Sequence, residues 1–206
     1  MSNSGSKIQY AVWGGLGIVI VAIFAAYILS QVNTKPLPVY NDIPRFTLTN
    51  QTGNAVTLDS LRGQIWIADV IFTRCPSQCL RMSGHMKELQ AKLPHDVQLV
   101  SLTTDPTYDT PERLKKYSGD FSQSDNWTFL TGDKRVINTV AVDGLKLAVQ
   151  ETPPNERENP NDLFIHSTKF VLIDRLGRVR GYFDGDDPQS TKEILNSVKT
   201  LKREKS

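Results

Sequence analysis

The sequence predicts an α/β domain built on a mixed sheet and carried behind one N-terminal membrane helix. Three observations lead there. Through the middle of the chain, apolar runs of strand length alternate with segments of helical periodicity, which implies parallel strands joined by helical crossovers. Near the C-terminal end the turn Arg175-Leu176-Gly177-Arg178 separates two apolar runs and adds an antiparallel edge. No charged residue occurs between Lys7 and Lys35, where Val12, Trp13, Leu16, Ile18 and their successors make a continuous apolar stretch.

That stretch, residues 10–31, has the length of a membrane span. At about 1.5 Å rise per residue a helix here covers roughly 30 Å, the hydrocarbon thickness of a bilayer. Tyr10, Trp13 and Tyr27 lie near its ends, where amphipathic rings favour the interface. A cleaved leader has a shorter apolar core and a small-x-small cleavage site. This run has neither, and no cysteine beside it could carry a lipid. The reading is an uncleaved single anchor. Lys7 and Lys35 flank it evenly, so orientation rests on the short tail, residues 1–9, staying in the cytoplasm. The domain then lies on the periplasmic side of an inner membrane, or in an equivalent space.

Along the rest of the chain, residues 32–42 contain Pro36 and Pro38 among polar residues and read as an extended linker. Residues 46–48 and 55–58, divided by Thr52-Gly53-Asn54, form a hairpin, and residues 59–63 one helical turn closed by Gly63. Residues 65–72 read as a buried strand. Met82, Met86, Leu89, Gln90 and Leu93 recur at helical spacing up to Pro94, and the two methionines belong to the core. A strand over 97–103 precedes a helix over 111–117, which Thr110 caps and Pro111 opens. Residues 127–130 are a strand, 133–142 a helix, 146–151 and 164–174 strands, 179–183 a hairpin strand and 188–202 the last helix. Residues 152–162, with Pro153, Pro154 and Pro160, form a polar loop.

Lys and Arg number 24 against 22 Asp and Glu, a net charge of +2 with both signs interspersed. That balance supplies no basic stripe for nucleic acid. The chemistry lies elsewhere. Cys75-Pro76-Ser77-Gln78-Cys79 holds the only two cysteines, at a strand-to-helix junction. Thiols four apart on a helical turn face one side and can share a soft metal such as Cu(I), or they can form and exchange a disulfide. The helix N-terminus and adjacent Arg74 favour thiolate in either case. A two-sulfur metal site wants a third ligand, and spacing alone does not choose among His85, His95 and His166. Asp69, inside an apolar strand, is a carboxylate that needs partners, a cap or an exposed edge.

Three motifs in order then carry a resemblance. Thr73-x-Cys75-Pro76-x-x-Cys79 comes first, then Asp105-Pro106-Thr107-Tyr108-Asp109-Thr110-Pro111. His166-Ser167 comes third, ahead of Val171-Leu172-Ile173-Asp174-x-x-Gly177. Residues 43–199 resemble the Sco/SenC family of thioredoxin-like proteins, which are usually anchored by one N-terminal helix and help assemble the binuclear copper centre of cytochrome c oxidase. The resemblance implies a thioredoxin-like copper-binding domain over 43–206. It also implies one copper ion, Cu(I) or Cu(II), on Cys75, Cys79 and His166, and a disulfide between Cys75 and Cys79 that controls loading. The Asp105 and Asp109 stretch is read as structural support beside the site. The implied partner is the oxidase subunit carrying the binuclear centre, or another copper protein. Leu80 stands where the family usually has proline. The rival reading is a thiol–disulfide oxidoreductase, which needs only Cys75 and Cys79, although such enzymes favour two intervening residues. A peroxidase of the peroxiredoxin type wants threonine three residues before its cysteine; position 72 is Phe, and Thr73 stands two before Cys75.

Overall fold

The computed structural model describes residues 4–32, 35–75, 77–122, 124–157 and 163–204. The chain divides into two units, Met1–Pro36 and Leu37–Ser206. The first contains helix α1, Ser4–Val32. The expected membrane span takes in side chains outside the described set. Among the described residues no helix is long and apolar enough to cross a membrane.

The second unit begins with three short strands, β1 (Asn41–Asp42), β2 (Thr47–Asn50) and β3 (Ala55–Thr57), and the turn of helix α2 (Leu58–Leu61). Then come β4 (Ile65–Ile71), α3 (Gln78–Gln90), β5 (Val97–Thr103), α4 (Pro111–Phe121) and β6 (Trp127–Thr131). Helix α5 (Lys134–Asn138) continues into a π-helical segment, Thr139–Gly144. The chain closes with β7 (Val149–Glu151), β8 (Phe164–His166), β9 (Lys169–Ile173), β10 (Arg178–Asp184) and α6 (Ser190–Arg203). The main sheet runs β1-β10-β9-β4-β5-β6-β2-β3. Strands β4, β5 and β6 are parallel, as the helices between them require, and β9 joins β4 antiparallel.

Strand β4 is buried at every position, because both of its faces are covered. Alternate side chains divide between two apolar layers. Ile65, Ile67 and Ile71 pack with Met82, Met86 and Leu89 of α3, Leu114 of α4, and Ile194 and Val198 of α6. Trp66, Ala68 and Val70 pack with Leu58 and Leu61 of α2, Ile137 of α5, and Val140 and Ala141 of the π segment. The two methionines are therefore core, as their spacing indicates.

Several sequence expectations change. The single strand expected over 164–174 is two strands in two sheets. β8 pairs with β7 in a separate two-stranded sheet, while β9 enters the main one. The break falls at Ser167 and Thr168, whose backbone bonds elsewhere: Ser167 N–H donates to Ala148 O, and Thr168 O accepts from Gly185 N–H. Leu58 opens a helix instead of ending a strand, because Thr57 and Ser60 cap each other reciprocally. Helix α4 continues one turn beyond residue 117, burying Tyr117 and Ser118. Asn41 and Asp42, expected in the linker, pair with Val179 and Arg178 of β10.

One buried ionic cluster ties this edge together. Arg180, only 4 % exposed, meets Asp174 at 2.8 Å and Glu204 at 2.6 Å. It also donates to Leu37 O and Pro38 O, and Leu37 N–H donates to Glu204 Oε1. Burial alone would raise the Asp174 carboxyl. Hydrogen bonds from Arg178 and Arg180 outweigh it and hold the group below its ordinary 3.8. The folded value is thus the lower one, so the stability Asp174 contributes is present above 3.8 and disappears as pH falls through the folded value. Arg180→Met leaves Asp174 with Arg178 alone and takes the arginine from Glu204, and at pH 7 should cost about 3 kcal/mol in urea unfolding. A variant as stable as the parent there would contradict the role given to Arg180.

Candidate metal and dithiol site

The cysteine loop is held from outside before either sulfur is considered. Strand β4 ends at Ile71, and Cys75 N–H returns to Phe72 O, closing a tight turn. The Asp109 carboxylate, fully buried, fixes the turn's middle. It accepts from the Thr73 N–H at 3.1 Å, from the Thr73 hydroxyl, and from the Thr103 hydroxyl of β5. Asp105 takes the next residue, pairing with the Arg74 guanidinium at 2.5 Å. Arg74 also lies over the Tyr108 ring at 4.2 Å, and Arg113 lies over the same ring at 3.5 Å. The stretch from Asp105 to Asp109 is the support that the motif suggested, with a named contact for each carboxylate.

The two cysteines are unequal. Cys75 precedes α3, and Cys79 sits in its first turn. The Cys79 N–H points at Cys75 Sγ, 3.4 Å away, so Cys75 receives the positive end of the helix. Cys75 is 8 % exposed and Cys79 0 %. The Cys79 thiol is pushed far up, first by its hydrogen bond with Cys75 and then by burial. This corrects the expectation that helix and Arg74 together favour thiolate at both positions. The Arg74 charge is turned onto Asp105, and Cys79 lies inside the core cluster with Met82 and Phe72.

Around them stand Tyr117, which sequence reasoning passed over, and Asp69 and Leu80, which it singled out. Tyr117, the last residue of the helix expected over 111–117, reaches Ser83 Oγ at 2.8 Å and Cys79 O at 3.5 Å. The helical spacing Leu114–Tyr117–Phe121 carried that signal. Asp69 is neither capped nor at an edge: it is fully buried in β4 and accepts from Ser101 Oγ at 2.6 Å. Leu80 stands 43 % exposed beside Cys79.

The backbone of His166 closes β8, paired with Val149; its side chain lies outside the described set. Phe164, two residues earlier on the strand, meets Phe72 edge to face at 5.3 Å, which brings β8 to the cysteine turn. Phe164 also lines a cleft with Arg74, Asp105, Tyr108, Lys134 and Glu151. Among the described residues no three His, Cys, Asp or Glu side chains form a metal cluster. His85 is drawn elsewhere, with Nδ1 2.7 Å from Gly185 O. The donor chemistry still fits a soft ion. Two sulfurs, both buried and beside a helix start, lie in a turn fixed by Asp109 and Asp105.

A mixed sheet with a dithiol where a central parallel strand meets its helix defines a thioredoxin-like dithiol protein. Residues 37–203 match the SCO1/SenC family model, and the chain belongs to that family. The SCO1 homologue of Bacillus subtilis strain 168 is 36% identical over 168 residues, covering 79% of this chain and 84% of its own. BsSco, a member of the Sco family of cytochrome c oxidase assembly proteins in which a disulfide switch was identified, has a TM-score of 0.66. It shares 34% identity over 81% of this chain and 99% of its own. Bradyrhizobium japonicum ScoI, solved with copper bound, has a TM-score of 0.64 at 26% identity, covering 75% and 98%. Copper is thus bound in structures of homologues.

The geometry makes one test of the support carboxylates. Burial raises the Asp109 carboxyl, against the hydrogen bonds from Thr103 and Thr73 that lower it. With the folded value the higher one, its stabilisation is complete below the unfolded value and is lost as pH rises through the folded value. Asp109→Asn replaces one acceptor oxygen by a donor and should destabilise by about 1–3 kcal/mol at acid pH. The deficit should narrow as pH rises, read from paired denaturation curves. A deficit that widens with pH would reverse the assignment.

Proposed function

We propose that this protein is a membrane-tethered copper metallochaperone that delivers copper to, or prepares, the binuclear copper centre of cytochrome c oxidase. Its site is Cys75, Cys79 and His166, taking one copper ion per chain. The observation that carries the reading is the approach of the Cys79 N–H to Cys75 Sγ at 3.4 Å, in a turn that Asp109 and Asp105 hold fixed. Phe164, on the strand whose backbone His166 closes, meets Phe72 beside the cysteine turn, which supports the place of His166 in the site.

In this reading copper is cargo. The two thiols lose their protons as the metal binds, so loading releases protons and favours higher pH. A third ligand from a separate small sheet leaves one side of the site for a partner's ligands. That shape suits transfer better than a closed four-ligand cage. Oxidation of Cys75 and Cys79 to a disulfide removes both thiolates, so loading requires the reduced pair. The proposed position is the periplasmic side of an inner membrane, with residues 10–31 as the single span. Val12, Trp13, Leu16, Ile18, Ile20, Ile23 and Phe24 stand exposed around α1, and a helix apolar on every side belongs in lipid or in a protein core.

The thiol inequality favours a second reading, thiol–disulfide exchange on a partner's cysteines. Cys75, at the helix start, would attack the partner's disulfide, and buried Cys79 would resolve the mixed disulfide, leaving a Cys75–Cys79 disulfide and two partner thiols. His166→Ala separates the two. Copper bound by the reduced protein, measured by metal analysis after gel filtration, should fall from one equivalent to substoichiometric, while thiol exchange persists. Full copper retention in that variant removes His166 from the site. Cys75→Ser and Cys79→Ser should each abolish both activities.

A further inference from the structure

Asp69 is the one charged residue in β4, and it alternates with Ile67 and Ile71. It therefore lies on the α3 side of the sheet, in the layer that holds Cys75 and Cys79. It is 0 % exposed. A directional chain of hydrogen bonds holds it. The Trp127 indole, which can only donate, gives its Nε1–H to Ser101 Oγ at 2.9 Å. Ser101, opposite Asp69 in the β4–β5 register, must then spend its own hydrogen on Asp69 Oδ1, at 2.6 Å. The chain fixes that oxygen as an acceptor.

We propose that Asp69 sets the oxidation-state preference of copper held by Cys75 and Cys79, favouring the divalent ion. This rests on the copper reading above. Two thiolates around Cu(I) carry a net charge of −1, and around Cu(II) a net charge of zero. A fixed buried carboxylate opposes the first and leaves the second nearly untouched. Asp69 touches no metal; it is a positioning residue for charge, held in place by Ser101 and Trp127. Removing its charge should raise the Cu(I)-to-Cu(II) affinity ratio roughly tenfold at the dielectric of protein interiors, about 59 mV in a one-electron potential.

The test uses the full chain in detergent, loaded with one equivalent of copper and titrated with an outer-sphere one-electron mediator. The mediator gives one electron to Cu(II), yielding Cu(I) and oxidised mediator with no bond made or broken at sulfur. Progress is read from loss of the thiolate-to-Cu(II) absorption. Asp69→Asn and Asp69→Ser are two neutral variants of different shape, so a folding defect in one leaves the other as the measurement. The expected result is an upward shift of about 59 mV or more in the potential, with both ions still bound. A potential equal to the parent's, in a variant that binds copper stoichiometrically, overturns the inference and leaves the copper reading standing. Copper binding by the Cys75→Ser and Cys79→Ser proteins at the parent's level overturns the copper reading itself.

Discussion

The Asp109 carboxylate is the constraint on which the site depends. A strand that is apolar on both faces delivers the chain to the end of the sheet without fixing the direction it takes beyond Ile71. Asp109 fixes that direction, reaching across from the end of β5 to take both donors of Thr73 while the Thr103 hydroxyl holds it from below. Burying such a group carries an electrostatic cost, visible in its raised pKa. The return is a turn whose backbone cannot drift relative to β5. Asp105 repeats the arrangement one residue further with Arg74, and Arg74 stacks in turn on Tyr108. By the time the chain reaches Cys75 its course is set by two carboxylates from a segment more than thirty residues away.

That fixed turn produces the difference between the sulfurs. Helix α3 starts within the motif, so one cysteine precedes the helix and the other is part of it. The first receives a backbone N–H and the helix dipole; the second is enclosed by apolar side chains and pushed toward its protonated form. Identical residues four positions apart thus acquire different chemistry from their place in one turn. A redox couple needs two sulfurs within reach of each other and of unequal acidity. A soft-metal site needs two sulfurs at a common point. The same geometry supplies both, which is why the two functional readings share their residues and separate only at His166.

Much of this was legible in the residues. The buried strand before the cysteines, the Thr110–Pro111 helix start and the core methionines all announce themselves through periodicity and capping, which are local properties. The Asp-Pro-x-x-Asp-Thr-Pro stretch was readable as support for the site, but not which carboxylate meets which donor, because that depends on the parallel pairing of β4 with β5. The division of residues 164–173 into two strands was hidden for a similar reason. The polar residues His166 to Lys169 stand inside the run, but which of them parts the strands depends on partners at Ala148 and Gly185, distant in sequence. Asp69 stood out as an anomaly in an apolar strand, yet its burial was invisible without Ser101 and Trp127, residues that lie on the next two strands and look unremarkable in sequence.

Leu37, where the second unit begins, is gripped at both of its backbone polar groups: its N–H by Glu204, its carbonyl by Arg180. Arg180 belongs to β10 and Glu204 comes directly after the last turn of α6. Mechanically this is an anchorage. A pull transmitted along the chain through Pro36 is taken up at Leu37 and shared between a strand of the main sheet and the end of a helix. The two-residue strand β1, which would otherwise be peeled from the sheet edge one hydrogen bond at a time, lies downstream of the grip and is shielded from that tension.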